Sequence, residues 1–97
     1  MYARVARWEG GDAAAIRASA GEIQSQAQGG PPEGVPAVGL TMLVDPDGGR
    51  VLFISLFETE EDLRTGDATL NAMSPPGDGM GTRGPIEVYE VAVDLRL

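Results

Sequence analysis

The sequence predicts an α+β protein whose elements run strand, helix, strand, strand, helix, strand. Three observations predict it. Two alternating apolar runs, 37–44 and 50–57, flank the turn Asp45-Pro46-Asp47-Gly48-Gly49. Stretches with apolar residues at helical spacing lie on either side of that pair, and further alternating runs lie at 2–8 and 86–97. A period of two marks a strand and a period near 3.6 marks a helix.

Tyr2 to Trp8 is the first strand, with Tyr2, Ala6 and Trp8 on one side and Ala3 and Val5 on the other. Gly10-Gly11 breaks it. Asp12 is a good helix cap, because its carboxylate accepts from the free N–H groups of the first turn. From Ala13 to Gln28, the spacing of Ile16, Ala20, Ile23 and Ala27 puts all four on one helix face. Gly21 weakens that helix by about 1 kcal/mol relative to alanine. Gly29-Gly30-Pro31-Pro32 stops it, and 29–36 is a loop.

In the next strand Val38, Leu40, Met42 and Val44 alternate against Ala37, Gly39, Thr41 and Leu43. Proline presets one turn angle and glycine supplies positive φ, so Arg50 to Phe57 returns as the partner strand of a hairpin. Thr59 opens a second helix, with Asp62 completing a capping-box variant and Glu60, Glu61 and Asp62 favoured by the helix dipole. Leu63, Leu70 and Met73 share a face, and Ser74-Pro75-Pro76 ends the helix. A Gly/Pro loop, 75–85, leads to a final strand, Ile86 to Leu97, with Tyr89, Val91, Val93, Leu95 and Leu97 on one face. The order βαββαβ, with a direct hairpin in the middle, is the ferredoxin-like split arrangement rather than a doubly wound one. Residues 1–97 are one domain's worth of chain.

Both faces of the hairpin are apolar. Leu52, Ile54 and Leu56 lie on one, and Val51, Phe53 and Phe57 on the other. A hairpin open to water on one side alternates apolar with polar. Two small helices cover only one face of a four-stranded sheet, so the second face calls for a partner, and a homodimer is the simplest source.

Composition excludes whole classes of chemistry. The chain has no cysteine and no histidine, and its seven basic residues are all arginine. No thiol nucleophile, imidazole base, lysine Schiff base, or His-ligated haem or zinc site can be built from it. Fifteen acidic residues give a net charge of −8, which repels phosphate backbones and anionic membranes. With no apolar run of about 20 residues and no signal-like start, a cytoplasmic location is expected. Abundant Gly and Ala with arginine as the sole base point to a GC-rich bacterial coding bias.

Several motifs invite functional readings. Gly79-Met80-Gly81-Thr82-Arg83-Gly84 matches G-x-G-x-x-G, but it follows a helix and leads into a strand, the reverse of a dinucleotide site. It is a connector or a lid over a pocket, and as a lid it would offer Arg83 to an anion. Asp45-Pro46-Asp47-Gly48 begins like a calcium loop, but Gly49, Arg50 and Leu56 occupy required ligand or glycine positions. The Glu58, Glu60, Glu61, Asp62 group is a solvated helix start, and no metal site is expected. Trp8 sits at a strand end among polar residues. Tyr89 carries a hydroxyl that needs a partner if buried, and Asn71 lies beside the second helix's apolar stripe. Trp8, Asn71, Arg83 and Tyr89 are therefore the candidate ligand-binding residues.

The run Phe57-Glu58-Thr59-Glu60-Glu61-Asp62-Leu63 and the strand Ile86-Glu87-Val88-Tyr89-Glu90-Val91, in this order of elements, resemble the antibiotic biosynthesis monooxygenase-like group of dimeric α+β barrels. The resemblance implies a homodimer with sheets face to face and a small apolar pocket between sheet and helices. It also implies a cofactor-independent monooxygenase acting on an aromatic or polyketide-like molecule. Phe57 stands where the commoner motif has Trp, and the motif's His falls near Gly66. The alternative is a non-catalytic ligand-binding or structural dimer. A pocket filled by Trp8, Met42, Phe53 and Tyr89 would favour that alternative, and an open pocket with converging polar groups would favour the enzyme.

Overall fold

A computed structural model describes residues 1–73 and 79–95. Among them are two helices and an antiparallel sheet of five strands. The elements are β1 (Tyr2–Glu9), α1 (Ala13–Ala27), β2 (Gly39–Asp45), β3 (Arg50–Phe57), α2 (Glu60–Ala72), β4 (Thr82–Arg83) and β5 (Glu87–Glu90). The sheet runs β2-β3-β1-β4, and β5 also pairs with β1.

The hairpin forms as its turn chemistry requires. Asp45 pairs with Arg50, the Gly49 N–H donates to the Pro46 carbonyl, and the Asp45 carboxylate accepts from the Gly48 N–H. Asp12 caps α1 by accepting from the Ala15 N–H at 3.0 Å, and Thr59 caps α2 by accepting from Asp62 at 3.1 Å.

The register sorts every strand residue onto one of two faces, since directly paired residues share a face. Tyr2, Arg4, Ala6 and Trp8 pair with Phe57, Ser55, Phe53 and Val51. Both helices pack on that side. Ile16 of α1 joins Val51 and Met80 in one buried cluster, and Leu63 of α2 joins Phe57 and Val35 in another. Ala3, Val5, Leu52, Ile54 and Leu56 form the opposite face, and none of them belongs to either cluster. The expected division of the hairpin into two apolar faces holds.

The helix faces are shorter than their sequence stripes. In α1 Ile16 is buried, whereas Ala27, near its end, is exposed. Met73, expected on the packed face of α2, lies just past the helix and is 49% exposed.

The final strand is the largest correction. Expected over 86–97, it comprises only Glu87–Glu90. Its ladder partner sets the limit: Glu90 pairs with Tyr2, where β1 starts, and the Val91 N–H donates to the Met1 carbonyl beyond it. β4 and β5 are offset by a bulge. From Trp8 to Val5 β1 moves three residues, while its partners move four, from Arg83 to Glu87. Pro85 sits in that offset, where its missing N–H costs no ladder bond.

The G-x-G-x-x-G segment is clamped to the body. Met80 is 2% exposed, and the Gly79 carbonyl accepts from the Asp12 N–H at 2.8 Å. Gly81 has φ +90°, and a Cβ there would lie 2.1 Å from the Glu9 carbonyl oxygen. Only glycine fits such a close backbone approach. The part of the expected lid or connector at 74–78 lies outside the described residues. No helix among the described residues is long and apolar enough to cross a membrane.

Candidate functional site

The two faces of the sheet each hold one arginine-centred polar cluster. On the helix side, Arg4 of β1 lies under α2 with its side chain 4% exposed. Its Nε donates to Asp67 Oδ1 at 2.6 Å and its Nη2 to Asn71 Oδ1 at 2.9 Å. Arg83 of β4 donates from Nη1 to the same Asn71 oxygen at 2.9 Å. Helical spacing explains the pairing, because Asp67 and Asn71 are four apart and share one face of α2. A buried guanidinium needs both charge compensation and hydrogen bonds, and α2 supplies both.

On the open side, Arg7 of β1 and Tyr89 of β5 both donate to Glu87, one to each carboxylate oxygen. The Tyr89 hydroxyl and then the Arg7 guanidinium hold the Glu87 carboxyl below its ordinary range. The same bond to Glu87 raises the Tyr89 phenol, and Glu87 raises Arg7. At the turn, Arg50 and then the Gly48 N–H lower Asp45. All these groups face water, so the effects are screened.

The structure brings two of the four candidate residues into contact, Asn71 and Arg83. Trp8 is the cross-strand partner of Arg83 and shares its face. Tyr89 lies on the opposite face, where its direct partner is Ala3, and is 50% exposed. The four therefore do not line one common pocket. Trp8, Met42 and Phe53 pack against the Ile16, Val51 and Met80 cluster.

Two open grooves mark the surface. One, about 460 Å³, lies between α2 and β5, with Tyr2, Leu63, Asp67, Val88 and Glu90 among its walls. The other, about 260 Å³, lies near the hairpin turn beside Trp8, Arg7, Leu43 and Arg50. Asn71, Arg83 and Tyr89 line neither. Glu60 is engaged by Arg64 one turn on, and among the described residues no three acidic side chains gather to hold a metal ion.

Sequence reasoning missed Arg4 and Asp67. The signal was present: Arg4 has the same parity as Tyr2, Ala6 and Trp8, so a charge occupies a core position of β1. No protein-family model matches the chain, and no curated protein matches its sequence.

Proposed function

We propose that the chain is a homodimeric protein of the ferredoxin-like, dimeric α+β barrel kind, similar in arrangement to the antibiotic biosynthesis monooxygenase-like group. In this reading it serves as a ligand-binding or structural dimer rather than an enzyme. With β4 and β5 taken as one bulged outer strand, the strand order is that of the split βαββαβ arrangement. The observation that carries the dimer is the open sheet face. Leu52, Ile54 and Leu56 project away from both helices and are partly exposed around the buried Val5, with Leu43 and Tyr89 about half exposed beside them. An apolar patch of that extent marks an interaction surface. The packing of Trp8, Met42 and Phe53 against the Ile16, Val51 and Met80 cluster favours the non-catalytic role. Sedimentation tests the dimer: it is expected at micromolar concentration, and a stable lone protomer would overturn it.

A second reading has one observation in its favour. Arg4 and Arg83 converge on a single Asn71 oxygen, a donor-rich spot suited to holding an enolate-type anion. In that reading the protein is a cofactor-independent monooxygenase on an aromatic or polyketide-like substrate. Oxygen consumption with anthrone-type compounds tests it, and no uptake across several of them would reject it.

A further inference from the structure

We propose that the groove between α2 and β5 is a binding site for a primary alkylammonium group with a short aliphatic tail. The site lies on the helix side of the sheet, so it stands whether or not the open face pairs.

Two patterns build the groove. On the sheet, Tyr2 pairs with Glu90 and Arg4 with Val88, so Tyr2, Val88 and Glu90 share the helix-side face with Arg4. On α2, Glu60 and Arg64, and Leu63 and Asp67, are four residues apart and line the other wall. The volume of about 460 Å³ lies within the roughly 300–1,000 Å³ of small-molecule sites. Leu63 and Val88 make the walls aliphatic, and Val88 is 52% exposed. An aliphatic tail laid over Val88 takes that surface out of water.

Charge selects the head group. The carboxylates of Glu60, Asp67 and Glu90 line the groove, and the guanidiniums beside them are already engaged. Arg64 donates to Glu60, and Arg4 donates to Asp67 and Asn71. Among the described residues, nothing bonds the Glu90 carboxylate or the Tyr2 hydroxyl, and Asp67 uses only its Oδ1. An anion entering here meets unmatched negative charge, in a protein of net charge −8. The acids are spread along the groove, since among the described residues no three gather to hold a metal ion. That spacing suits an elongated organic cation better than a bare one.

The head group belongs at the Tyr2–Glu90 pair. Directly paired residues have Cβ atoms about 5 Å apart, so carboxylate and hydroxyl stand side by side. A primary ammonium has three N–H donors and no acceptor, which matches oxygens of this kind. Val88 follows Glu90 on the same face about 7 Å along the strand, within reach of a six-carbon tail.

The test is an amide NMR titration of the full chain with hexylammonium, compared with ethylammonium, 1-hexanol and hexanoate. Hexylammonium is expected to bind with a Kd of about 1 mM and to shift the amides of Tyr2, Leu63, Val88 and Glu90. Ethylammonium, which lacks the tail, is expected to bind about tenfold more weakly. Glu90→Gln, with an unchanged circular dichroism spectrum, is expected to weaken hexylammonium about threefold. Hexanol or hexanoate binding as well as hexylammonium overturns the proposal. So does ethylammonium binding as tightly, unaltered affinity in Glu90→Gln, or no saturating shift at the groove. Sedimentation of the same samples reads the dimer separately, and a failed titration leaves that reading standing.

Discussion

Arg4 and Arg7 sit three residues apart on one strand, each bound to a carboxylate, yet they do different work. Arg4 faces the helices and is 4% exposed; Arg7 faces outward and is 51% exposed. Burial makes the Arg4 pair expensive to break, because a lone buried charge cannot recover its hydration. Water and salt screen the Arg7 pair, so its loss disturbs the fold little. The two faces divide the labour: one holds the helices and, in the proposed dimer, the other meets the partner.

The largest expected effect is on the helix side. Phe57 is fully buried, so Phe57→Ala should destabilise by about 3–5 kcal/mol, read as a shift in the urea midpoint. Its counterpart on the open face, Ile54→Asp, should abolish the proposed dimer in sedimentation while leaving far-UV circular dichroism intact. If Ile54→Asp unfolds the protomer instead, the contrast between the faces is broken.

Next comes the buried ion pair. Asp67→Ala should cost about 2–3 kcal/mol, reduced from the fully buried value because Asp67 is 34% exposed. Arg4→Met combined with Asp67→Leu should recover most of that loss. A double variant as unstable as the single one would show that packing, rather than charge, sets the cost.

Gly66→Ala should have a smaller net effect. Its Cβ would lie 2.5 Å from Phe57 Cε1, an overpacking of about 1–3 kcal/mol. Better helix propensity returns about 1 kcal/mol. A net loss of about 1 kcal/mol by denaturant titration is expected, and Phe57→Leu in the same chain should relieve it.

The smallest effect is the pH dependence of the open-face cluster. Glu87 is lowered from its ordinary 4.5, so its contribution is present above that pH and fades as pH falls through the lowered value. Tyr89 is raised from 10.0, so its contribution is present below that pH and is lost as pH rises through the raised value. Glu87→Gln should flatten the acid side of the stability–pH curve slightly. Asp45, lowered chiefly by Arg50, keeps its own acid dependence in that variant.

Much of the fold was legible. The hairpin, both helix caps and the assignment of Val51, Phe53 and Phe57 against Leu52, Ile54 and Leu56 follow from period and turn chemistry, which are local. Asn71 was singled out as a polar group beside an apolar stripe, and it does bond the buried Arg4, although Asn71 itself is exposed. Tyr89 was grouped with Trp8, Asn71 and Arg83, but sequence cannot say which way an outer strand's alternation falls. The bulge between Arg83 and Glu87 shifts that strand's register by one residue, and such a slip reassigns faces.

The sequence alone determined the order of elements, the chemistries excluded by the missing cysteine, histidine and lysine, and the surplus of apolar surface on the central hairpin. These depend on residue identity and spacing along the chain. Only the tertiary structure decided that α2 neutralises Arg4, that Met80 pins its loop, and that the last strand stops at Glu90. Each of those depends on which distant segments meet, and the local pattern does not carry that information.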